Sequence, residues 1–274
     1  MKRNLVVGLC SSFIGLGMVL ILLSATGLVA ARDAAIRSEA PPAAAAADGD
    51  LDATFGSGGK VTTDFNGTDV ANSLAIQSDG KPVAGGYASD SGGNSVFALA
   101  RYTTAGALDG TFGNGGKATT GFDGKDAVLA LGIQSNGKII AAGNTYTGTN
   151  DHYNFALARY TITGTLDTTF GSGGKVKTDF NGQLDSANAL GIQSDGKIIA
   201  AGTAFDAAGT DSDFALARYT VTGTLDTTFG SGGKVTTDIF GSYDTAYALA
   251  IQSNGKIVVA GHGLHAVGDP SDFA

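Results

Sequence analysis

Two groups of residues in this 274-residue chain have types that could do chemistry. The first is strictly repeated. Asp52, Asp109, Asp167 and Asp226 each stand second in Leu-Asp-x-Thr-Phe-Gly-x-Gly-Gly-Lys, and Arg101, Arg159 and Arg218 each precede a Tyr. The second varies between repeats: Asp90, Asn94, Asp151, His152, Asp211, Asp213, His262, His265 and Asp269. Oxygen donors on loops of this kind suit Ca²⁺. His262 and His265, three apart with Asp269 nearby, could hold a transition metal. An acid that recurs in every repeat reads instead as a turn-capping side chain, since Asp accepts hydrogen bonds from the backbone just ahead of it. The Gly-rich run ending in Lys suggests a phosphate loop, but that pattern needs Gly six positions before the Lys and a helix after it. For Lys60 that position is Thr54, and Val61 opens a strand. No Ser/His/Asp order or paired-carboxylate signature stands out.

The positions of these residues follow from repetition. The ten-residue stretch at Leu225 has near-copies at Leu51, Leu108 and Leu166, a period close to 58 residues. Repetition on this scale fixes architecture before any single residue does. Within each unit an apolar run leads to Gln-Ser-Asp/Asn-Gly-Lys (starting at Gln77, Gln134, Gln193 and Gln252) and then to a second apolar run. Gly at the end of such a three-residue connection marks a hairpin with a left-handed turn position. A third strand follows in Phe-Ala-Leu-Ala-Arg-Tyr (at Phe97, Phe155 and Phe214), and a fourth begins at the Lys that closes the Gly-rich run. No polar/apolar pattern of helical period reaches a useful length. Each unit therefore supplies four short strands, a to d, in a meander. A small four-stranded sheet must pack on its neighbours, and radial packing gives an all-β β-propeller. A β-solenoid is the alternative. The count begins with a d strand near residues 60–65 and ends two residues into a c strand, so the last repeat is incomplete and the chain reads either as a piece of a longer repeat array or as an imperfectly closed four-bladed ring.

The Phe-Ala-Leu-Ala-Arg-Tyr, Gly-x-Leu-Asp-x-Thr-Phe-Gly-x-Gly-Gly-Lys-Val and Ile-Gln-Ser-Asp-Gly-Lys-Ile-Ile-Ala-Ala-Gly motifs together resemble the delta-60 repeat. That family comprises bacterial, mostly exported tandem-repeat proteins regarded as β-propellers of unknown function. The resemblance covers residues 51–274. It implies fold and compartment and carries no catalytic residue.

Composition bounds the rest. Gly accounts for 43 residues, about twice its usual share of roughly 7%, without a period of three. The net charge of −8 repels polyphosphate, which argues against nucleic acid as a partner. Residues 1–31 carry Lys2 and Arg3, then an uncharged apolar run, and read as a secretory signal or an uncleaved membrane anchor. Residues 32–50 are an Ala/Pro-rich linker. The single Cys, Cys10, lies in the apolar run, so residues 32–274 have neither disulfides nor thiol chemistry.

In an a-b-c-d meander the a–b and c–d connections share one end of the sheet, and the b–c and d–a connections share the other. The first set is nearly identical between units. The b–c loops (residues 87–96, 144–154, 203–213 and 262–272) differ throughout, and the d–a loops drift. Specific binding needs unlike residues brought together, so the b–c/d–a face is the expected functional surface. The sequence thus reads as an exported or surface-anchored propeller that binds protein or glycan, with an extracellular propeller lyase or hydrolase as the alternative.

Overall fold

A computed structural model describes residues 5–7 and 49–274, apart from 90–91, 123, 147, 149–151, 181–182 and 266–269. The other residues of the apolar segment, linker residues 32–48, and the candidates Asp90, Asp151 and Asp269 lie outside the described residues. Among the described residues there is no helix, so none long and apolar enough to cross a membrane.

The expected meander is present. The first sheet runs β3 (Thr68–Ile76), β4 (Pro82–Ser89), β5 (Ser95–Arg101), β6 (Lys117–Thr120). The second runs β7 (Asp126–Ile133), β8 (Ile139–Tyr146), β9 (Tyr153–Tyr160), β10 (Lys175–Thr178). The third runs β11 (Ser186–Ile192), β12 (Ile198–Phe205), β13 (Ser212–Tyr219), β14 (Lys234–Thr237). β15 (Thr245–Ile251), β16 (Ile257–Gly263) and β17 (Asp272–Phe273) form a three-stranded sheet. The unpaired d strand expected near residue 60 is β2 (Val61–Thr63), whose edge carries β1 (Leu5–Val7). The a–b turn glycines adopt the expected left-handed backbone, as at Gly196 (φ 83°).

The sheets stack as a propeller's do. Each a strand lies across the preceding sheet: β7 on β3, β4 and β5, β11 on β7, β8 and β9, and β15 on β11, β12 and β13. The core is therefore divided among the junctions. In one, Ile140, Phe155, Leu157 and Phe170 of the second sheet meet Ile198, Ala200, Tyr219 and Leu190 of the third. Alanine dominates the b and c strands because facing sheets approach closely, and Leu/Ile of the next a strand fills the gap. Leu190 and Ile192 lie against Gly132, and Leu249 and Ile251 against Gly191.

Polar pegs fix the register at two of the junctions. Tyr160 Oη donates to Thr120 Oγ1 across one junction and Tyr219 Oη to Thr178 Oγ1 across the next, both at 2.8 Å and buried. The Lys that closes each Gly-rich run reaches back one sheet: Lys117 Nζ to Asp64 O, Lys175 Nζ to Gly121 O, Lys234 Nζ to Asp179 O. The lysine that suggested a phosphate loop is thus a fastener between blades.

Every a strand also carries a β-bulge that the sequence reading does not contain, between Ala71 and Ser73, Val128 and Ala130, Ala187 and Ala189, and Ala246 and Ala248. A bulge adds local twist and bends its strand. Each faces a b-strand glycine whose missing Cβ makes the approach possible, as at Gly202 beside Ser186 O.

Candidate functional site

The repeated acids are scaffold. Asp109 Oδ1 accepts Thr111 N and Oγ1, which caps the c–d turn, while Oδ2 takes Arg101 Nε at 2.9 Å and Lys81 Nζ at 3.1 Å. Asp167 repeats this with Thr169, Arg159 and Lys138, and Asp226 with Thr228, Arg218 and Lys197. The guanidinium of each Arg also lies over a Phe ring, 4.6–4.8 Å from its centroid. For Asp109 and Asp226 the Thr hydroxyl leads in holding the carboxyl below the usual range, helped by the cations. In Asp109, Asp167 and Asp226 one oxygen is thus taken by the turn and the other lies in ion pairs with an Arg and a Lys.

The variable residues behave differently from one another. His262 stacks on Tyr247 (5.3 Å), whereas His265 meets the Phe240 ring (4.1 Å) and Asp272 (3.2 Å). The two imidazoles thus have different ring neighbours, and Asp269, the third residue of that expected group, lies outside the described residues. Asn94 is exposed and His152 half-buried, in separate b–c loops. Asp211 accepts Ser212 N, and burial followed by the charges of Asp238, Asp206 and Asp244 raises its pKa. Asp213, Asp238 and Asp244 bring a carboxylate oxygen each within 4.8 Å of one another. The pKa of Asp213 is raised by burial and then by Asp211 and Asp238. Among the described residues this is the group with metal-ligand spacing, and its donors are all hard oxygens, the set Ca²⁺ prefers.

The b–c/d–a end also holds a cleft of about 330 Å³ between the second, third and last sheets. Tyr153, Phe205 and Tyr247 supply aromatic surface, and Asn144, Asn188, Thr203 and Thr245 supply amides and hydroxyls. Asp185 and Ser186 lie at the entry to β11, and no Lys or Arg lines it. These residues sit at strand ends just inside the loops, which is why a search of loop tips passes over them. The available signal was register: the position after the bulge glycine's partner is Asn72, Leu129, Asn188 and Tyr247 in successive units.

A larger cleft, about 670 Å³, opens at the opposite end between a–b turns, lined by Ser135, Asn136, Ser194 and Gly196 with Lys138 and Arg159. Its two cations already bind Asp167. Its walls are repeated residues, so size alone does not make it the better site.

Asp185 gives the variable cleft its electrostatics. Its Oδ2 accepts Phe180 N at 2.8 Å, and burial, reinforced by Asp179 and opposed by Lys234, pushes its pKa up to about 7. In the second sheet the matching Asp126 receives the Thr145 hydroxyl at 2.6 Å, whereas the matching positions elsewhere are Ala88, Ala204 and Gly263. Because the folded-state pKa lies above the unfolded value of about 3.9, protonated Asp185 stabilises the fold at low pH. That contribution is present below pH ~4 and lost as pH rises to about 7 and beyond. Asp185→Asn should remove this loss, worth on the order of 2–4 kcal/mol at pH 8, and Ala204→Thr should reduce it. Urea midpoints at pH 5 and pH 8 check both.

Three stretches, residues 77–112, 134–170 and 193–229, match a family model described as a domain of unknown function (DUF5122) beta-propeller. Each runs from the Gln of the a–b turn to the end of the Leu-Asp-x-Thr-Phe motif. No curated protein matches the chain. Sheet order and family model agree that the chain is a β-propeller repeat protein.

Proposed function

We propose that this β-propeller is an exported binding module that takes a neutral sugar residue of a glycan in the cleft of Tyr153, Phe205 and Tyr247. The observation that carries the reading is the combination of aromatic surface with amides and hydroxyls and without Lys or Arg. A sugar ring presents C–H faces to aromatics and hydroxyls to amides, and such clefts bind through a few convergent polar groups on an apolar wall. The missing cations and the nearby Asp206, Asp211 and Asp213 disfavour anionic ligands. Export follows from the basic start and apolar run of residues 1–31.

A glycoside hydrolase would need two carboxyls flanking the scissile bond. Asp185 is the single acid among the cleft's described lining residues, which supports binding over hydrolysis. The Asp213–Asp238–Asp244 group favours a second element, a Ca²⁺ ion that steadies the 203–213 loop beside the cleft.

A glycan array probed with the full chain tests the reading. Binding to neutral glycans is expected, lost in Phe205→Ala or Tyr153→Ala and kept in Ser194→Ala on the opposite face. Loss of one aromatic should weaken binding about 10-fold or more, from a stacking contribution of ~1–1.5 kcal/mol plus buried area. No neutral glycan bound, or binding indifferent to both aromatics, contradicts it.

A further inference from the structure

A polar bridge between the second and third sheets is missing between the third and the last. In the first of these junctions Asn144, near the end of β8, donates from Nδ2 to Ser186 Oγ of β11 at 3.3 Å. Ser186 Oγ donates in turn to Asn188 Oδ1 at 3.0 Å, and Asn188 Nδ2 donates to Ala246 O of β15 at 2.9 Å. Asn144, Ser186 and Asn188 all line the aromatic cleft. Its polar wall is therefore held by a chain of hydrogen bonds that crosses three sheets.

One junction further on, the residue matching Asn144 is Thr203 of β12, and the residue matching Ser186 is Thr245 of β15. Both line the same cleft. A threonine hydroxyl stands one bond from Cβ, whereas an Asn amide nitrogen stands two bonds away and reaches further. Thr203 is only 6% exposed, and its Oγ1 is buried with no hydrogen-bond partner among the described residues, Thr245 included. A buried hydroxyl left without a partner is destabilising. The second unit shows that this strand position accepts Asn, which makes the bridge, so the lone hydroxyl calls for a partner from outside the chain.

From these observations we infer that the gap between Thr203 and Thr245 is a recognition subsite for one unsubstituted hydroxyl of a pyranose whose ring lies against the cleft aromatics. The subsite rests on the reading of this cleft as a sugar site and supplies its selective group. A hydroxyl has one donor hydrogen and two acceptor lone pairs. A sugar hydroxyl can therefore donate to one threonine and accept from the other. An alkylated oxygen can only accept, and a deoxy carbon can do neither. Thr203 thus rejects deoxy and O-methylated sugars at that ring position, a discrimination that aromatic rings facing the C–H side of the sugar do not provide. Loss of a hydrogen bond that leaves a buried group unpaired is what gives such subsites their selectivity.

The test is a set of titrations of the full chain, followed by ligand-observed NMR, in a detergent without a sugar headgroup because of the apolar residues 1–31. The probes are the methyl glycosides of glucose, galactose and mannose and each of their monodeoxy counterparts. At least one parent glycoside should bind, and one of its monodeoxy counterparts should bind about 10-fold more weakly. Thr203→Val should weaken the parent by a similar factor and leave that deoxy counterpart unchanged, because both changes remove the same contact. Thr203→Ser, which keeps the hydroxyl, should bind as the wild type does. Thr203→Asn copies the second unit, so it should close the gap to Thr245 and lose the parent glycoside. Without sugar, the urea midpoints of Thr203→Val and Thr203→Asn should equal or exceed that of the wild type, since each removes an unpartnered buried hydroxyl. Binding that is lost in Phe205→Ala but equal in wild type, Thr203→Val and Thr203→Asn overturns the subsite and leaves the cleft reading standing. Lower urea midpoints for both variants would show that the hydroxyl serves the fold instead, and a wild type that binds none of the glycosides overturns the subsite together with the cleft reading.

Discussion

Replacing Asp167 by Ala is expected to cost about 3–5 kcal/mol of stability, the usual consequence of removing one partner from a buried ion pair. The carboxylate is the hub of its blade. It caps the c–d turn through Thr169, and it neutralises Arg159 at 2.7 Å and Lys138 at 2.7 Å. Arg159 is buried, so without Asp167 its charge is stranded between the second and third sheets. The double variant Asp167→Leu/Arg159→Met should lose clearly less than Asp167→Ala, because it strands no charge. Urea unfolding of the three proteins measures the difference; equal losses would mean that the turn cap alone matters. The same group sets acid sensitivity. Burial acts most strongly on Asp167 and would raise its pKa, but Lys138, Thr169 and Arg159 together outweigh it and hold the carboxyl far below the usual range. Its stabilising contribution is therefore present above the unfolded pKa of about 3.9 and is lost as pH falls below it. Asp185 acts in the opposite sense between pH ~4 and ~7, so the two acids should bound a stability maximum in mildly acidic solution.

Gly202→Val should be the most damaging substitution of a single small residue. A Cβ at Gly202 would lie 1.8 Å from Ser186 O, and that oxygen belongs to the bulged backbone of β11, which cannot turn aside as a flexible side chain would. The sheet must separate at its innermost strand pair or lose the bulge, and either outcome disturbs the packing of β11 on the second sheet. A loss of about 3 kcal/mol or more is expected, at or above the range for overpacked cores. Gly110→Ala is the comparison, since a Cβ there meets nothing within 4 Å; it should change the urea midpoint little. Similar midpoints for Gly202→Val and wild type would show that the bulge is not needed for the blade.

Much of this architecture can be read from local residues. The a–b turns are set by single glycines such as Gly196, whose left-handed backbone no other residue adopts as readily. The c–d turns are set by Asp and Thr two residues apart, whose hydrogen bonds are local. The bulges were not legible, because each depends on how two strands pair; its mark is only the glycine facing it, one of 43. The cleft was not legible for a related reason. Tyr153, Phe205 and Tyr247 come from three different sheets and stand at strand ends, where each alone is an ordinary strand aromatic. Divergence of the loops drew attention to loop tips such as Asp211 and His262, whereas the cleft at the same end of the sheets is lined by strand ends. Asp185 was hidden by repetition: its equivalents Asp69, Asp126 and Asp244 make it look like scaffold, and what distinguishes its surroundings from those of Asp126 includes Ala204 in place of Thr145 and Asp179 in place of Gly121.

The reading of the b–c/d–a end as the binding surface is tested most directly by hydrogen exchange of the full chain with and without a neutral glycan selected on the array. Binding in the proposed cleft should slow exchange at residues 144–146, 153–154, 184–188, 203–206 and 245–247, and leave the a–b turns at 134–138 and 193–197 unchanged. Protection confined to those turns would place the site in the larger cleft at the opposite end and contradict the account.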